Sequence, residues 1–140
     1  MKRPSYQSLR VYQLAEKIAD LVWRIVEGWG TGTASRTIGE QMIRSADSIG
    51  ANIAEGSGRG SFQDNRRFVR IARGSLYETQ HWLRRAYNRQ LLQQSQIDEL
   101  REILDELSPK LNAFLKSIGK SAKQTTGTPT VTPTVESQNN

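Results

Sequence analysis

The sequence contains no cysteine and a single histidine, His81. Without cysteine, the chain has no disulfide framework, no thiolate zinc site and no thiol nucleophile. The acid nearest to His81 at helical spacing is Glu78 at i−3, and two ligands from one helical turn are too few to hold a metal ion. We therefore predict no metal site and interpret His81 as a surface histidine.

The chain also lacks recognisable reaction chemistry. Ser75, Glu78 and His81 would lie on one helix at different azimuths, with no oxyanion-forming turn beside the serine, so they do not form a hydrolase triad. The glycines at 56, 58 and 60 lack the preceding strand and the following Lys-Ser or Lys-Thr pair of a phosphate-cradling loop. We expect a protein without a cofactor that is not an enzyme.

Long apolar runs and strand patterns are missing as well. No stretch of about 18 apolar residues occurs, so we predict no transmembrane helix and no membrane partner. Residues 1–14 start with basic residues but lack the apolar region of a secretory signal, which favours a cytoplasmic location. Alternating β-branched residues are absent from positions 1–120, so the 36% hydrophobic content predicts one modest all-α domain.

The composition changes at residue 119. From there to residue 140, the chain consists mainly of Lys, Thr, Ser, Pro, Gln and Asn. A segment with so little apolar surface cannot offset the entropy lost on ordering. We therefore divide the chain into a folded domain at residues 1–118 and a disordered C-terminal tail at residues 119–140.

Two helices are predicted in the first half of the domain. Apolar residues recur at three- and four-residue steps over residues 9–27, with Ser8 or Ser5 as a possible cap. A glycine-rich loop follows, in which Trp29 is expected to cover the end of the core. The second helix is expected to start at Ser35 or Thr37, because Thr37 and Glu40 have the spacing of a capping box.

A helical hairpin is predicted around the glycine cluster. Gly56 is interpreted as the residue just past the second helix, where a left-handed backbone conformation is favoured. Ser61 and Asp64 have the spacing of an N-cap and its N3 acid, so the third helix starts there. On that helix, Gly74 would cost about 1 kcal/mol relative to alanine, and we expect a packing reason for it.

The fourth helix completes an antiparallel up-down-up-down four-helix bundle. Ser95 and Asp98 repeat the serine-acid start, and Pro109 predicts a kink or a break near residues 107–109. The apolar positions step by three and four residues, as in a heptad seam: Ile97, Leu100, Leu104, Leu107, Leu111, Phe114 and Ile118. Acidic residues opposite this seam could meet arginines of a neighbouring subunit.

The positive charge is concentrated in the third helix. Residues 59–89 contain eight arginines and two acids, so this segment carries the whole net charge of +6 and the remainder is neutral. At about 100° per residue, most of these arginines lie opposite the apolar face. Such an arginine-rich face is typical of phosphate binding, and we predict that it binds nucleic acid through Arg59, Arg66, Arg67, Arg70, Arg73, Tyr77, Arg84 and Arg85.

The same region carries a family signature. The chain resembles the four-helix bundle proteins encoded in intervening sequences of bacterial large-subunit ribosomal RNA genes, a superfamily that includes the accessory variability protein of diversity-generating retroelements. The resemblance spans about residues 9–118. It rests on Ser48-Ile49, Asn52-Ile53-Ala54-Glu55-Gly56, Gly58-Arg59, Phe68, Ile71-Ala72-Arg73-Gly74-Ser75-Leu76 and Glu78.

This resemblance implies a four-helix bundle that assembles into a ring, typically a pentamer, and uses a basic surface for nucleic acid or a reverse transcriptase partner. It also implies a structural role for the signature residues Asn52, Glu55, Gly56, Gly74, Ser75 and Glu78. The sequence departs from the family pattern at three places. Gly50 replaces a common proline, Gln80 replaces a common acid, and residues 29–35 form a Gly-Thr-rich loop.

Two function classes stay open at this stage. In the first, the protein is an accessory protein that binds RNA or DNA through its arginines. In the second, it is a protein-interaction scaffold in which the arginines meet acids of sister subunits or of a partner protein. Both are compatible with a homo-oligomer, which the large apolar residues predict because they exceed the needs of one small core: Trp23, Trp29, Phe62, Trp82 and Tyr87.

Overall fold

The computed structural model describes residues 5–120, and these contain four long α-helices and no β-strand. The helices are α1 (Arg10–Glu27), α2 (Glu40–Ser57), α3 (Phe62–Asn88) and α4 (Gln94–Ser117). A 3-10 turn, Ser5–Ser8, precedes α1, and a π-helical turn, Ser35–Gly39, leads into α2. The predicted all-α fold is thus confirmed. Most of the predicted tail, residues 121–140, lies outside the described residues.

The four helices pack around one apolar core. α2 and α3 form the most extensive helix pair, α1 lies against α2 and α4, and α3 touches α4 only sparsely. The largest fully buried apolar side chains come from all four helices, and each contributes about 1.5–3 kcal/mol by leaving water: Leu14, Ile18, Val22, Ile25, Met42, Ile49, Ile53, Val69, Leu76, Leu107 and Leu111.

The hairpin between α2 and α3 depends on a close approach at Gly56. Gly56 is buried inside α2, where an added Cβ would lie 2.6 Å from Asn65 Oδ1 and 3.0 Å from Phe68 Cβ. The prediction that Gly56 follows the helix end is therefore wrong. α2 continues to Ser57, and its C-cap Gly58 keeps a right-handed φ of −85°. The glycine is needed for packing, since the chain reverses without a left-handed residue there.

One predicted N-terminal cap is confirmed, and the caps predicted for α1, α2 and α4 differ from the structure. Ser61 caps α3, because its Oγ accepts a hydrogen bond from the Asp64 backbone N–H at 3.1 Å. The Thr37–Glu40 capping box is wrong, since helical turns already begin before Thr37, whose Oγ1 donates to the Thr33 carbonyl at 2.7 Å. At α1, the N-cap is Leu9 rather than a serine.

α4 also departs from the expected pattern. It starts with a capping box made by Gln93 and Gln96 instead of Ser95 and Asp98. Pro109 lies inside the helix, which is not broken there. Pro109 and Asp105 are both exposed, so the Asp105 carbonyl that loses its helical donor lies on the solvent side.

The buried side of α4 is rotated relative to the predicted seam. Ile103 and Leu115 are buried, whereas Ile97, Leu104 and Phe114 are only half-buried. The reason is that α4 packs mainly on α1, and residues near Ile103 face that helix. Glu106, on the same side, accepts two hydrogen bonds from Arg10 of α1 at 2.8 Å.

Candidate nucleic-acid interface

The predicted arginines do not form one uniform surface. Arg67, Arg70, Arg84 and Arg89 are exposed. Among the residues that the structure describes, these four have no acidic partner within salt-bridge distance. They are therefore the guanidinium groups of residues 59–89 that are most accessible to an external anion.

Arg66 and Arg73 are held at the interface between α3 and α4. Arg66 Nη1 donates to the Ile118 carbonyl at 3.0 Å, and Arg73 Nη1 donates to Asn112 Oδ1 at 3.0 Å. Both side chains are half-buried. The oxygens that accept these hydrogen bonds are neutral, so the positive charges of Arg66 and Arg73 still add to the local potential. Some of the N–H groups of both arginines are, however, already used within the fold.

A stacked cluster forms where the α2–α3 turn meets α3. The guanidinium carbons of Arg59 and Arg67 lie 4.7 Å and 4.6 Å from the centroid of the Phe68 ring. Each arrangement is a cation–π contact, worth about 0.5–1 kcal/mol at an exposed site. Arg59 also pairs with Glu55, with 2.7 Å between Nη2 and Oε2. The cluster orients Arg67 but leaves Arg59 partly neutralised.

Two of the remaining predicted site residues lie farther along α3. Tyr77 is 52% exposed and contributes an accessible aromatic ring to the outer face. Arg85 is half-buried.

Arg84, by contrast, borders a groove between α3 and α4. The groove has a volume of about 440 Å³. The residues that line it are Gln80, Leu83, Arg84, Tyr87, Leu92, Ile97, Leu100, Arg101, Leu104 and Asp105. Arg101 was not predicted as a site residue from the sequence. No pattern within α4 indicates that Arg101 lines the same groove as Arg84 of α3.

The signature residues of α2 and α3 meet in a polar seam. Asn52 Nδ2 donates to the carbonyl and the Oγ of Ser48 at 2.8 and 2.9 Å, and Ser48 Oγ lies 2.8 Å from Ser75 Oγ. Deeper in the hairpin, buried Thr79 donates to Ser45 Oγ at 2.9 Å. These short side chains satisfy one another while the two helices stay close.

Two other signature residues face outward. Glu78 accepts a hydrogen bond from Trp82 Nε1 at 3.1 Å. Gly74 is exposed, and a Cβ added there would meet nothing within 4 Å. Residues 5–120 therefore show no packing reason for Gly74, because its side of α3 faces away from the other helices of this range.

The other three helices, α1, α2 and α4, carry most of the acidic side chains. Partial burial raises the pKa of the Asp47 carboxyl, and the negative charge of Asp20 raises it further. At the α1–α4 edge, the hydrogen bonds from Arg10 lower the pKa of Glu106. Exposed Trp23 also lies on α1. The arginine-rich and acidic surfaces thus belong to different helices of one chain.

Residues 5–120 contain neither a metal-binding cluster nor a membrane-spanning helix. Within this range, no group of three or more His, Asp or Glu side chains is arranged to hold a metal ion. None of the helices in this part of the chain has the length and apolar character needed to cross a bilayer.

Comparisons with known proteins show the family and the fold. The family model described as 23S rRNA-intervening sequence protein matches residues 7–113. A crystal structure of a protein of unknown function from the S23 ribosomal protein family of Bacteroides thetaiotaomicron VPI-5482 is similar in fold. It has a TM-score of 0.70 and 22% sequence identity, and the match covers 76% of this chain and 99% of that chain. A search of curated proteins finds no match.

Proposed function

This chain belongs to the family of 23S rRNA-intervening sequence proteins, and we propose that it is a non-enzymatic accessory protein that binds the phosphate backbone of RNA or DNA. The observation that carries the proposal is the charge of residues 59–89. This segment contains eight arginines and only two acids, whereas the rest of the chain is neutral. This imbalance creates a positive potential along one helix, which attracts a polyanion without reading its sequence. We place this activity in the cytoplasm.

The contacts that we assign to the backbone are those of Arg67, Arg70 and Arg84. All three are exposed, and at about 1.5 Å per residue they span roughly 25 Å of α3. This length is sufficient to follow several phosphates of one strand or groove. Tyr77, exposed between Arg70 and Arg84, offers a ring on which an unpaired base can stack.

We further propose that the protein acts as a ring-shaped homo-oligomer, with a pentamer favoured by the family resemblance. Two large side chains that take no part in the proposed nucleic-acid contacts, Trp23 and Phe62, are more than half exposed on a single chain. Apolar groups of this size are commonly covered by a partner surface. A ring follows when one surface meets a different surface of the next copy, as an arginine-rich helix and an acidic edge would allow.

The backbone contacts can be tested with the double variant Arg67→Gln/Arg70→Gln. We expect weaker binding of structured RNA and duplex DNA alike, and a slope of log K against log salt that is flatter by up to about two units, because each lost contact removes nearly one released counterion. A matched control, Lys17→Gln/Arg44→Gln, removes the same charge from exposed positions of α1 and α2 and should leave the slope close to that of the wild type.

Two results would contradict this assignment. If the Arg67/Arg70 variant and the control bind nucleic acid equally well, with unchanged slopes of log K against log salt, these arginines are only solvated surface residues. If the Arg67/Arg70 variant dissociates into monomers, its arginines belong to the subunit interface.

The second result would favour the alternative function, a protein-interaction scaffold that includes a reverse transcriptase among its possible partners. The exposed aromatic residues support this alternative, because they suit a protein partner at least as well as a phosphate backbone.

A further inference from the structure

The groove between α3 and α4 has an apolar floor formed by the edge of the core. Leu83 and Leu100 are buried beneath it, and Leu92, Ile97 and Leu104 are half-buried along it. The groove exists because α3 and α4 touch only sparsely, whereas α3 packs extensively on α2. Its volume of about 440 Å³ lies in the range of small-ligand sites.

The rim of the groove combines an aromatic ring with unpaired cations. Tyr87 is 59% exposed, the highest value among the exposed large hydrophobic residues. Arg84 and Arg101 have no ion pair among the described residues, whereas Arg10 and Arg24 of α1 both pair with acids of α4. The rim therefore presents two guanidinium groups against one carboxylate, that of Asp105.

We propose that this groove holds one unpaired nucleotide of a single-stranded RNA. The base would lie on the leucine and isoleucine floor and stack on Tyr87, and Arg84 and Arg101 would contact the phosphates on either side of it. Gln80 and Asp105 supply polar groups for the base edge or the ribose hydroxyl. Unpaired bases are commonly recognised by such aromatic and arginine planes.

This inference rests on the proposed function and deepens it, because backbone contacts alone treat single strands and duplexes alike. An acidic peptide would also suit the two arginines. It would leave the broad apolar floor and the exposed ring without a matching planar group, so a nucleotide fits the whole set of lining residues better.

The test compares the full chain on three probes at one salt concentration. These are a uridine oligonucleotide, an abasic strand with the same number of phosphates, and an RNA duplex. We expect the wild type to bind the uridine strand about fivefold or more tightly than the abasic strand, since stacking one base on an aromatic side chain gives at least that factor.

Variants of the rim separate stacking from charge. Tyr87→Ala should abolish the preference for the uridine strand, whereas Tyr87→Phe should retain it because the ring remains. Arg101→Gln should lower the affinity for the uridine strand more than the affinity for the duplex. The control Arg44→Gln should change the two affinities by the same factor. Helix content and oligomer mass are measured for each variant, so that loss of folding is recognised.

The possible failures point to different conclusions. If the wild type binds the uridine and abasic strands equally and both respond to salt, the groove inference is wrong and the backbone proposal stands. If none of the three probes binds even at low salt, the backbone proposal is also wrong. If Tyr87→Ala releases monomers, the groove is a subunit contact and the inference is overturned.

Discussion

At the scale of single residues, Gly56 and Gly74 of the family signature have opposite surroundings. Gly56 is buried against α3, whereas Gly74 is exposed with open space beside it. Both lie inside α-helices, where alanine is intrinsically favoured by about 1 kcal/mol. Their substitution therefore separates helix propensity from packing within one protein.

We expect Gly56→Ala to destabilise the protein by at least about 1 kcal/mol and Gly74→Ala to stabilise it by about 0.5–1 kcal/mol. At Gly56, a Cβ would lie 2.6 Å from Asn65 Oδ1, 3.0 Å from Phe68 Cβ and 3.2 Å from the Asn65 carbonyl oxygen. The Asn65 amide can turn away, but the backbone oxygen moves only with α3. Denaturant unfolding of both variants gives the comparison, and a Gly56→Ala protein as stable as Gly74→Ala would disprove the close approach.

At the scale of helices, the arginines of α3 have two separate roles. Arg66 and Arg73 donate hydrogen bonds to the C-terminal part of α4 and the residue that follows it. Other arginines, such as Arg70, are exposed to solvent. The distinction matters for experiments, because a variant that replaces both kinds at once mixes a loss of stability with a loss of charge.

We expect Arg66→Gln to lower the free energy of unfolding by about 1 kcal/mol, since it removes a charged donor from a half-buried hydrogen bond. The acceptor is the Ile118 carbonyl at 3.0 Å. Arg70→Gln removes the same charge from an exposed position of α3, and its effect should stay within about 0.5 kcal/mol. Thermal unfolding at matched salt measures both, and equal effects would show that the bond from Arg66 does not stabilise the bundle.

At the scale of the whole molecule, the prediction concerns assembly. Light scattering at micromolar concentration should give a mass that is a multiple of the 15.8 kDa chain, with about five copies expected from the resemblance. Trp23→Ser and Tyr87→Ser, which alter exposed residues of α1 and α3, show whether either surface takes part, because an interface substitution lowers the mass. A mass of one chain for the wild type would disprove the homo-oligomer.

The helical class, the number of long helices and the family could all be predicted from the sequence alone. These follow from local information: three- and four-residue apolar spacing, the Ser61 cap and the signature of α2 and α3 are all encoded within a few turns. The concentration of arginine at residues 59–89 is equally local. Such features need no knowledge of which helix packs on which.

Which positions face a neighbouring helix, by contrast, depends on how the helices pack and could not be predicted from the sequence. The azimuth of Arg66 and Arg73 placed them opposite the core, yet α4 passes close enough to accept hydrogen bonds from both. The sequence pattern of α2 indicated that Gly56 ends the helix. The actual reason for the glycine is the close approach of Asn65 and Phe68, which belong to a different helix, α3. The buried side of α4 includes Ile103, which the heptad pattern did not predict. Which side of a helix is buried depends on the helix against which it packs.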